Sequence, residues 1–271
     1  VSVDSGPANP TNSQSAAFTV SSDDDQDGES VACEIDGNAA DCASNTGLAE
    51  GAHTFTATVT DAAGNSASDT HTWYIDLTDP TATITANPDA ETNSQSATFT
   101  STVDDSYDNS PSRACTLDGS AVGDCDAQID NLAEGSHTFV VTATDAAGNT
   151  GSASHTWLID ITAPTVSISD APSDPSDSNA ADFTVTSSDG GSGLASTTCD
   201  LDGAAQADCG GVASGLAEGS HTFTATATDA AGNSASDAYT WVVDLTDPSV
   251  IISDTPSDPS NSDAADMTVT S

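Results

Sequence analysis

Basic residues are almost missing from this sequence. It has 271 residues with 43 acids, no lysine and a single arginine, Arg113, and its formal charge is −42 when the histidines are neutral. Nucleic acids and anionic lipid surfaces are both recognised through clustered Lys and Arg side chains. The scarcity of positive charge therefore excludes both as partners, and we expect no direct insertion into a membrane.

Aromatic residues, long apolar runs and helical periodicity are also scarce. Aromatics make up 4% of the residues, and no apolar run approaches the roughly 20 residues of a membrane-spanning helix. An initiator Met and a signal peptide are missing as well. We therefore expect this sequence to be a window of a longer periodic protein, with export signals and anchors elsewhere.

One stretch occurs three times at a spacing of 84 residues. It runs from Gly47 to Asn65, from Asn131 to Asn149 and from Gly215 to Asn233, with L-A-E-G and T-D-A-A-G-N in every copy. A fixed period of this size indicates one module repeated in tandem. Because each joint carries a proline that restricts the backbone, we expect the modules to form a rod. The predicted division is repeat 1 at 1–78, repeat 2 at 79–162, repeat 3 at 163–246, and the first strands of repeat 4 at 247–271.

Apolar residues alternate with polar ones inside each repeat. Phe55, Ala57 and Val59 share one parity, and Trp73 and Ile75 continue it after the next turn. This period of two is typical of half-buried antiparallel strands. Short strands separated by turn signals predict an all-β, two-sheet sandwich in each repeat. The same parity predicts an early inward-facing strand in every repeat, with Ala16, Phe18 and Val20 in the first copy and Ala265, Met267 and Val269 in the last.

The six cysteines form three close pairs at matching positions in the repeats. An even number, a regular period and an exported type of composition favour disulfides, each closing a short loop that stabilises the fold by roughly 2 to 3 kcal/mol. A metal site is the alternative, but the spacing within a pair does not match a C-x-x-C knuckle. The predicted pairs are Cys33 with Cys42, Cys115 with Cys125, and Cys199 with Cys209.

These motifs together resemble a known family. C-x-[IL]-D-G, a second Cys, L-A-E-G-x-H-T-F, T-D-A-A-G-N, T-W and D-x-T-x-P are similar to the tandem bacterial immunoglobulin-like domains of very large surface adhesins and other exported repeat proteins. The resemblance covers essentially the whole chain. It implies a seven-stranded sandwich, an extracellular location at the cell surface, and calcium at the domain joints.

The acidic residues are mainly aspartates, 37 against 6 glutamates. Solvation in a saline environment has little reason to prefer Asp, whereas turns and calcium loops both do. Strand direction places the linker, the loop after the second strand and the D-A-A-G-N turn at the same joint. The first joint then gathers Asp76, Asp79, Asp104, Asp105, Asp108, Asp145 and Asn149.

The second joint offers a smaller set of oxygen ligands. It contains Asp160, Asp189, Asp229 and Asn233, and we expect it to be poorer because Ala163 replaces the second acid of the linker. Two further groups would serve joints with incomplete neighbours: Asp23, Asp24, Asp25 and Asp27 at one end, and Asp244 with Asp247 at the other. The alternative is that the Asp of D-A-A-G-N caps a hairpin turn without any ion.

The histidines are interpreted as packing and hydrogen-bonding residues. His53, His137 and His221 share the inward parity, whereas His71 and His155 become Tyr239 in repeat 3, which a catalytic base would not tolerate. No nucleophile, zinc or phosphate-binding motif occurs, so we expect no enzyme activity.

We expect a structural extender of an extracellular surface protein or fibre that supports adhesion, with neighbouring repeats of the same chain as its partners. Three alternatives remain: a subunit of a self-assembling filament, a carbohydrate- or receptor-binding module, and a non-catalytic appendage of a secreted enzyme.

Overall fold

The computed structural model describes residues 1–22, 28–253, 255, 258, 263–264 and 267–270. The chain divides into two compact units, Val1–Ile159 and Asp160–Ser271. All of the regular structure in the described residues is β-strand, as the period of two predicts. These residues contain no helix with the length and hydropathy of a membrane span.

Repeat 1 is an antiparallel sandwich. Its larger sheet has the order β5-β4-β7-β8, and the smaller pairings are β1 with β3 and β2 with β6. The long β7–β8 hairpin pairs residue by residue from Gly51 opposite Ile75 to Thr60 opposite Ser66. The strands are β1 (Ser2–Ser5), β2 (Ala16–Ala17), β3 (Thr19–Ser21), β4 (Ser30–Ile35), β5 (Asn38–Ala39), β6 (Ser44–Asn45), β7 (Gly51–Thr60) and β8 (Ser66–Ile75).

Repeat 2 has the same plan with one strand added to its larger sheet. The order is β10-β15-β14-β12-β13, and β10 lies parallel to β15, while β9 pairs with β11. The strands are β9 (Thr81–Ala86), β10 (Glu91–Thr92), β11 (Thr100–Asp104), β12 (Ser112–Leu117), β13 (Ser120–Val122), β14 (Gly135–Thr144) and β15 (Thr150–Ile159).

Repeat 3 and the described part of repeat 4 belong to the second unit. Repeat 3 has the sheet β20-β19-β22-β23 with the pairs β16–β18 and β17–β21, and β24 pairs with β25 in repeat 4. The strands are β16 (Thr165–Ser169), β17 (Ala180–Ala181), β18 (Thr184–Ser188), β19 (Leu194–Leu201), β20 (Ala204–Gln206), β21 (Ala213–Ser214), β22 (Gly219–Asp229), β23 (Ser234–Val243), β24 (Ile251–Ser253) and β25 (Thr268–Thr270).

Each complete repeat is built around one stacked pair of phenylalanines. Phe99 stacks on Phe139 with ring centroids 4.0 Å apart, and Trp157 lies 5.3 Å from Phe99 at a tilt of 60°. Phe139 is fully buried, and Trp157 is 2% exposed. The same arrangement recurs with Phe18 and Phe55 in repeat 1 and with Phe183 and Phe223 in repeat 3. Such aromatic contacts add to the stabilisation from apolar burial.

The inward parity predicted for repeats 1 to 3 agrees with the burial of Phe55, Ala57 and Trp73. In repeat 4, Met267 is 59% and Val269 is 62% exposed. The described residues of that repeat form only β24 and β25, so no second sheet covers these side chains. Ala265 lies outside the described residues.

The three cysteine pairs form disulfides inside the sandwich. Cys33–Cys42, Cys115–Cys125 and Cys199–Cys209 have Cα–Cα distances of 5.2, 5.6 and 5.3 Å, within the usual range. No described cysteine is free. Each bridge links a strand of the larger sheet, such as β12 in repeat 2, to the loop after the following strand. Cys115 and Cys125 are part of the core of repeat 2.

Candidate metal centres

Three carboxylates meet near the linker that follows repeat 1. Asp76 comes directly after β8, Asp105 directly after β11 and Asp145 directly after β14. The Asn149 amide Nδ2 joins two of these segments, since it donates to the Asp76 carbonyl at 2.9 Å and to Asp145 Oδ2 at 2.7 Å. Strand direction brings these loops together as predicted. We call Asp76, Asp105 and Asp145 the first acidic cluster.

The first acidic cluster holds negative charge in a poorly solvated place. Asp76 is 2% and Asp145 is 6% exposed. Asp105 Oδ2 is buried without a hydrogen-bond partner among the described residues. Burial raises the pKa of Asp76, and repulsion from Asp105, Asp145 and Glu50 adds to the rise. This cluster is therefore destabilised whenever all of its carboxylates are ionised.

A second acidic cluster occupies the equivalent positions 84 residues further along. It consists of Asp160, Asp189 and Asp229, whose ligand atoms all lie within 4.8 Å of one another. Asp160 is 1% and Asp229 is 2% exposed. The Asn233 amide Nδ2 donates to the Asp160 carbonyl at 2.8 Å and to Asp229 Oδ2 at 2.8 Å. The residues of the second cluster all belong to the second unit.

A single side chain accounts for the main electrostatic difference between the clusters. Ser192 donates to Asp160 Oδ2 through its hydroxyl at 2.6 Å and its backbone N–H at 2.7 Å, and these bonds lower the pKa of Asp160. The equivalent of Ser192 in repeat 2 is Asp108, which has no hydroxyl to donate. Gly191 makes the approach possible, because a Cβ there would collide with the Asp160 carboxylate. Asp76 and Asp160 therefore differ in pKa direction despite equivalent positions.

The structure separates the predicted ligands into distinct groups. Asp79 and Asp104 are exposed, and Asp244 and Asp247 are exposed as well. Asp79 is exposed, and Ala163 stands at its equivalent position in the second joint. Asp108 Oδ2 accepts the Ala146 N–H at 3.0 Å, which ties the acidic loop to the D-A-A-G-N turn.

Asn149 and Asn233 position the linkers, since their amide nitrogens donate to the linker carbonyls. Asp23, Asp24, Asp25 and Asp27 lie outside the described residues.

Glutamates of the repeated L-A-E-G motif also hold the linker. Glu50 Oε1 accepts the Thr78 hydroxyl at 2.8 Å, and Glu218 Oε1 accepts the Thr246 hydroxyl at 2.6 Å and the Leu245 N–H at 2.9 Å. Sequence reasoning missed this role. The signal was available, because a glutamate recurs at this position with the 84-residue period.

Both clusters offer the carboxylate oxygens that a hard cation prefers, and the second cluster also has the spacing of a metal site. Calcium is bound by carboxylate and carbonyl oxygens at about 2.3 to 2.6 Å, so two oxygens on one ion are at most about 4.6 to 5.2 Å apart. The 4.8 Å limit met by the second cluster falls within that range. The buried, unpartnered Oδ2 of Asp105 is a free acceptor in the first cluster. Asp76, Asp105 and Asp145 would hold the ion in one unit, and Asp160, Asp189 and Asp229 would hold it in the other.

The histidines of the T-F strand form a separate polar site in every repeat. His53 Nδ1 lies 2.7 Å from Asp36 Oδ2, and its Nε2 lies 2.7 Å from the Ala49 carbonyl oxygen. Asp36 Oδ1 also accepts the Thr54 N–H at 2.8 Å. Both ring nitrogens therefore face acceptors. We call each such group a histidine clamp; the other two are His137 with Asp118 and Ala133, and His221 with Asp202 and Ala217.

The clamps favour the charged form of the imidazoles. Burial lowers the pKa of His53, but the hydrogen bonds to Ala49 and Asp36 outweigh it and raise the pKa overall. His137 follows the same pattern, and the bond to the Ala217 carbonyl is the main cause of the raised pKa of His221. A carbonyl oxygen can only accept, so Nε2 must donate, and an ionised Asp requires Nδ1 to donate as well. The expectation that these histidines pack and form hydrogen bonds is confirmed.

Comparison with known proteins identifies the type of repeat. A family model of bacterial Ig-like domains (group 3) matches residues 124–186, a segment that runs from repeat 2 into repeat 3. No curated protein matches the sequence.

Three solved structures are similar to this chain. The fibronectin(III)-like modules of Clostridium thermocellum CbhA are 20% identical over 58% of this chain and 93% of that chain, with a TM-score of 0.38. A tetra-tandem repeat from the extending region of a large adhesion protein is 24% identical over 93% and 75%, with a TM-score of 0.33. A Ca²⁺-stabilized adhesin of an Antarctic bacterium is 20% identical over 90% and 72%, with a TM-score of 0.31.

The matched segment contains the D-A-A-G-N turn, the second T-W strand and the D-x-T-x-P joint on which the resemblance rests. Residues 124–186 are thus similar to a bacterial immunoglobulin-like domain.

Proposed function

We propose that this chain is a structural extender segment of a long extracellular surface protein that supports adhesion, and that calcium binds to its acidic clusters. The extender role is supported by the repetition of one small module, each with its own aromatic core and disulfide. Disulfides persist in oxidising, extracellular environments. The function proposed for the module is mechanical and not catalytic.

The observation that carries the calcium proposal is the concentration of buried carboxylates in the first acidic cluster. Two unit charges 4 Å apart repel each other by about 1 kcal/mol at the dielectric constant of water and by about 4 kcal/mol at an effective value of 20. Asp105 and Asp145 both repel the Asp76 carboxylate. A divalent cation would turn the repulsion into attraction and would stiffen the linker that carries Asp76.

Thermal unfolding with calcium and with a chelator tests this proposal. A ligand that binds only the folded state adds about 2.7 kcal/mol when its free concentration is a hundredfold above Kd. For a module of this size, each kcal/mol raises Tm by about 4 to 8 °C. We therefore expect calcium to raise the unfolding temperature strongly, at constant high ionic strength. A Tm that is the same in calcium and in chelator would contradict calcium binding.

Two matched variants sharpen this test. Asp76→Asn removes a repelled charge and keeps an oxygen for the Thr78 N–H, which Asp76 Oδ1 accepts at 3.0 Å. It should raise Tm in chelator and reduce the rise caused by calcium. Asp160→Asn loses a carboxylate that Ser192 stabilises, so it should lower Tm in chelator. Equal changes of Tm in chelator for the two variants would contradict the assigned electrostatics.

Small-angle scattering tests the extender role separately. We expect a maximum dimension that grows with the number of repeats in recombinant chains of two, three and four modules. Calcium should narrow the distribution of maximum dimensions among the molecules in solution. A maximum dimension that stays constant as modules are added would refute the extender role, whatever the result with calcium.

A further inference from the structure

Two of the three tyrosines in the chain meet at one place where the 84-residue period is broken. Tyr74 and Tyr107 lie with ring centroids 5.2 Å apart and a tilt of 44°. The equivalent positions in the next copy are Leu158 and Gly191. The ring pair is therefore not required by the fold of the module, because the next copy of the sequence lacks both aromatics.

The ring pair borders a groove of about 280 Å³ in the first unit. Its lining includes Tyr74, Tyr107, Asp76, Asp108 and Asn9. Tyr107 is 51% exposed, whereas the phenylalanines and tryptophans of the three complete repeats are buried in the cores. Grooves that combine aromatic faces with a few convergent polar groups are the usual form of small-ligand sites.

The groove is strongly negative. Asp76 and Asp108 line it directly. The carboxylates of Asp105 and Glu50 add negative charge near Asp76. The phenol of Tyr74 stays neutral at physiological pH. Burial raises its pKa to about 12, with contributions from Tyr107, Glu50 and Asp76. The one guanidinium of the chain, that of Arg113, is paired with Asp126 at 2.7 Å and so is engaged elsewhere.

We propose that this groove binds an organic cation, an alkylated ammonium or a guanidinium group, on the faces of Tyr74 and Tyr107 with Asp76 and Asp108 as counter-ions. Aromatic faces attract such cations through the ring quadrupole, and adjoining carboxylates increase the attraction. A neutral sugar could stack on the rings, but it would leave the carboxylate repulsion in place. A metal ion would relieve the repulsion without using the rings.

Binding is tested with choline and its neutral isostere 3,3-dimethylbutan-1-ol, in chelator-treated protein, by NMR of the tyrosine ring signals. We expect choline to shift the Tyr74 and Tyr107 signals in a saturable manner and the isostere to leave them unchanged. Equal binding of the isostere would refute the role of charge. Binding of methyl glycosides in the absence of choline binding would replace the proposal by a carbohydrate site.

The chain supplies its own control variants. Tyr107→Gly introduces the residue found at Gly191, and Asp108→Ser introduces the residue found at Ser192. Loss of one aromatic face should weaken choline binding about two- to thirtyfold, and Asp108→Ser should weaken it as well. Tyr239→Phe in the second unit should have no effect. An unchanged choline affinity in Tyr107→Gly and Asp108→Ser, with the unfolding temperature of the parent retained, would overturn the proposal.

Two further measurements identify the source of the cation and separate this site from calcium binding. N-acetyl-arginine amide and N-acetyl-lysine amide stand for the side chains of a basic partner protein. If they bind more tightly than choline, the ligand is a basic side chain; the reverse order assigns a free quaternary amine. Because the choline titration is done in chelator, it succeeds or fails independently of the calcium proposal. Added calcium should weaken choline binding, since it would neutralise Asp76.

Discussion

The histidine clamps make the stability of every repeat dependent on pH. In repeat 2, the imidazole of His137 lies between the Asp118 carboxylate at 2.7 Å and the Ala133 carbonyl at 2.9 Å. Trp157 lies beside it, with ring centroids 5.5 Å apart. Among the contacts described, the imidazole therefore faces one charged group, the Asp118 carboxylate, and no second cation. Protonation satisfies both acceptors, and deprotonation leaves one of them opposite a lone pair.

The direction of the pH effect follows from the raised pKa. A histidine whose folded pKa lies above its unfolded value of 6.5 stabilises the fold fully below that unfolded value. The stabilisation is lost as the pH rises through the folded pKa. Hydrogen bonds that involve a charged group contribute about 1.5 to 3 kcal/mol. The Asp118 side chain is 45% exposed, so screening by solvent reduces the expected contribution to about 1 to 2 kcal/mol for each clamp.

Two measurements check this prediction. The folded pKa of each clamp histidine can be read from the pH dependence of its ring NMR signals, and Tm can be followed from pH 5.5 to 9 at constant ionic strength. A loss of about 1 to 2 kcal/mol corresponds to a fall in Tm of about 4 to 16 °C for a module of this size. Asp118→Asn should lower the pKa of His137 and leave those of His53 and His221 unchanged. The reasoning fails if the folded pKa values lie at or below 6.5.

Four further predictions concern the core, the linkers and the acidic clusters. Replacing Cys115 and Cys125 together by Ala should lower the free energy of unfolding of repeat 2 by about 2.7 kcal/mol, the value for a loop of this length; urea unfolding measures it, and a loss below 1 kcal/mol would contradict it. Phe139→Ala should lower the free energy of unfolding by about 3 to 5 kcal/mol in the same assay, because it removes one of the two stacked rings from the core. A surface change such as Thr138→Ser should lower it little. Gly151→Ala should lower Tm, since its Cβ would overlap the Pro80 carbonyl; an unchanged Tm would show that the linker can move aside. Ser192→Ala should raise the pKa of Asp160, measured by carboxyl ¹³C NMR, and an unchanged pKa would rule out the hydroxyl as its stabiliser.

Much of the fold could be predicted because its causes are local. Alternation alone places Phe55 and Ala57 in the core, and the period carries the same assignment to the other repeats. The parallel pairing of β10 with β15 could not be predicted, since two residues of edge strand have no pattern of their own. Alternation states which face a side chain takes but not whether another sheet covers that face, and Met267 is 59% exposed.

The candidate sites were less predictable because they depend on contacts between segments distant in sequence. The rule that loops at one end of a sandwich meet one joint placed Asp76, Asp105 and Asp145 in one predicted set. It could not separate them from Asp79, whose exposure is decided by the path of the linker. Nor could it assign a donor role to Asn149, because an amide presents both an acceptor and a donor, and only its neighbours decide which is used.

The comparison of the two acidic clusters shows how a periodic chain acquires sites that differ. The scaffold repeats, since Asn149 and Asn233 make the same bonds to their linkers. The exchange of Asp108 for Ser192 removes a charge and adds a hydroxyl donor, and the pKa of the linker aspartate changes direction. A bound cation would stabilise a joint more where the repulsion between its carboxylates is stronger. Substitution in the loop after the second strand can therefore set the cation response of each joint while the cores and disulfides stay the same.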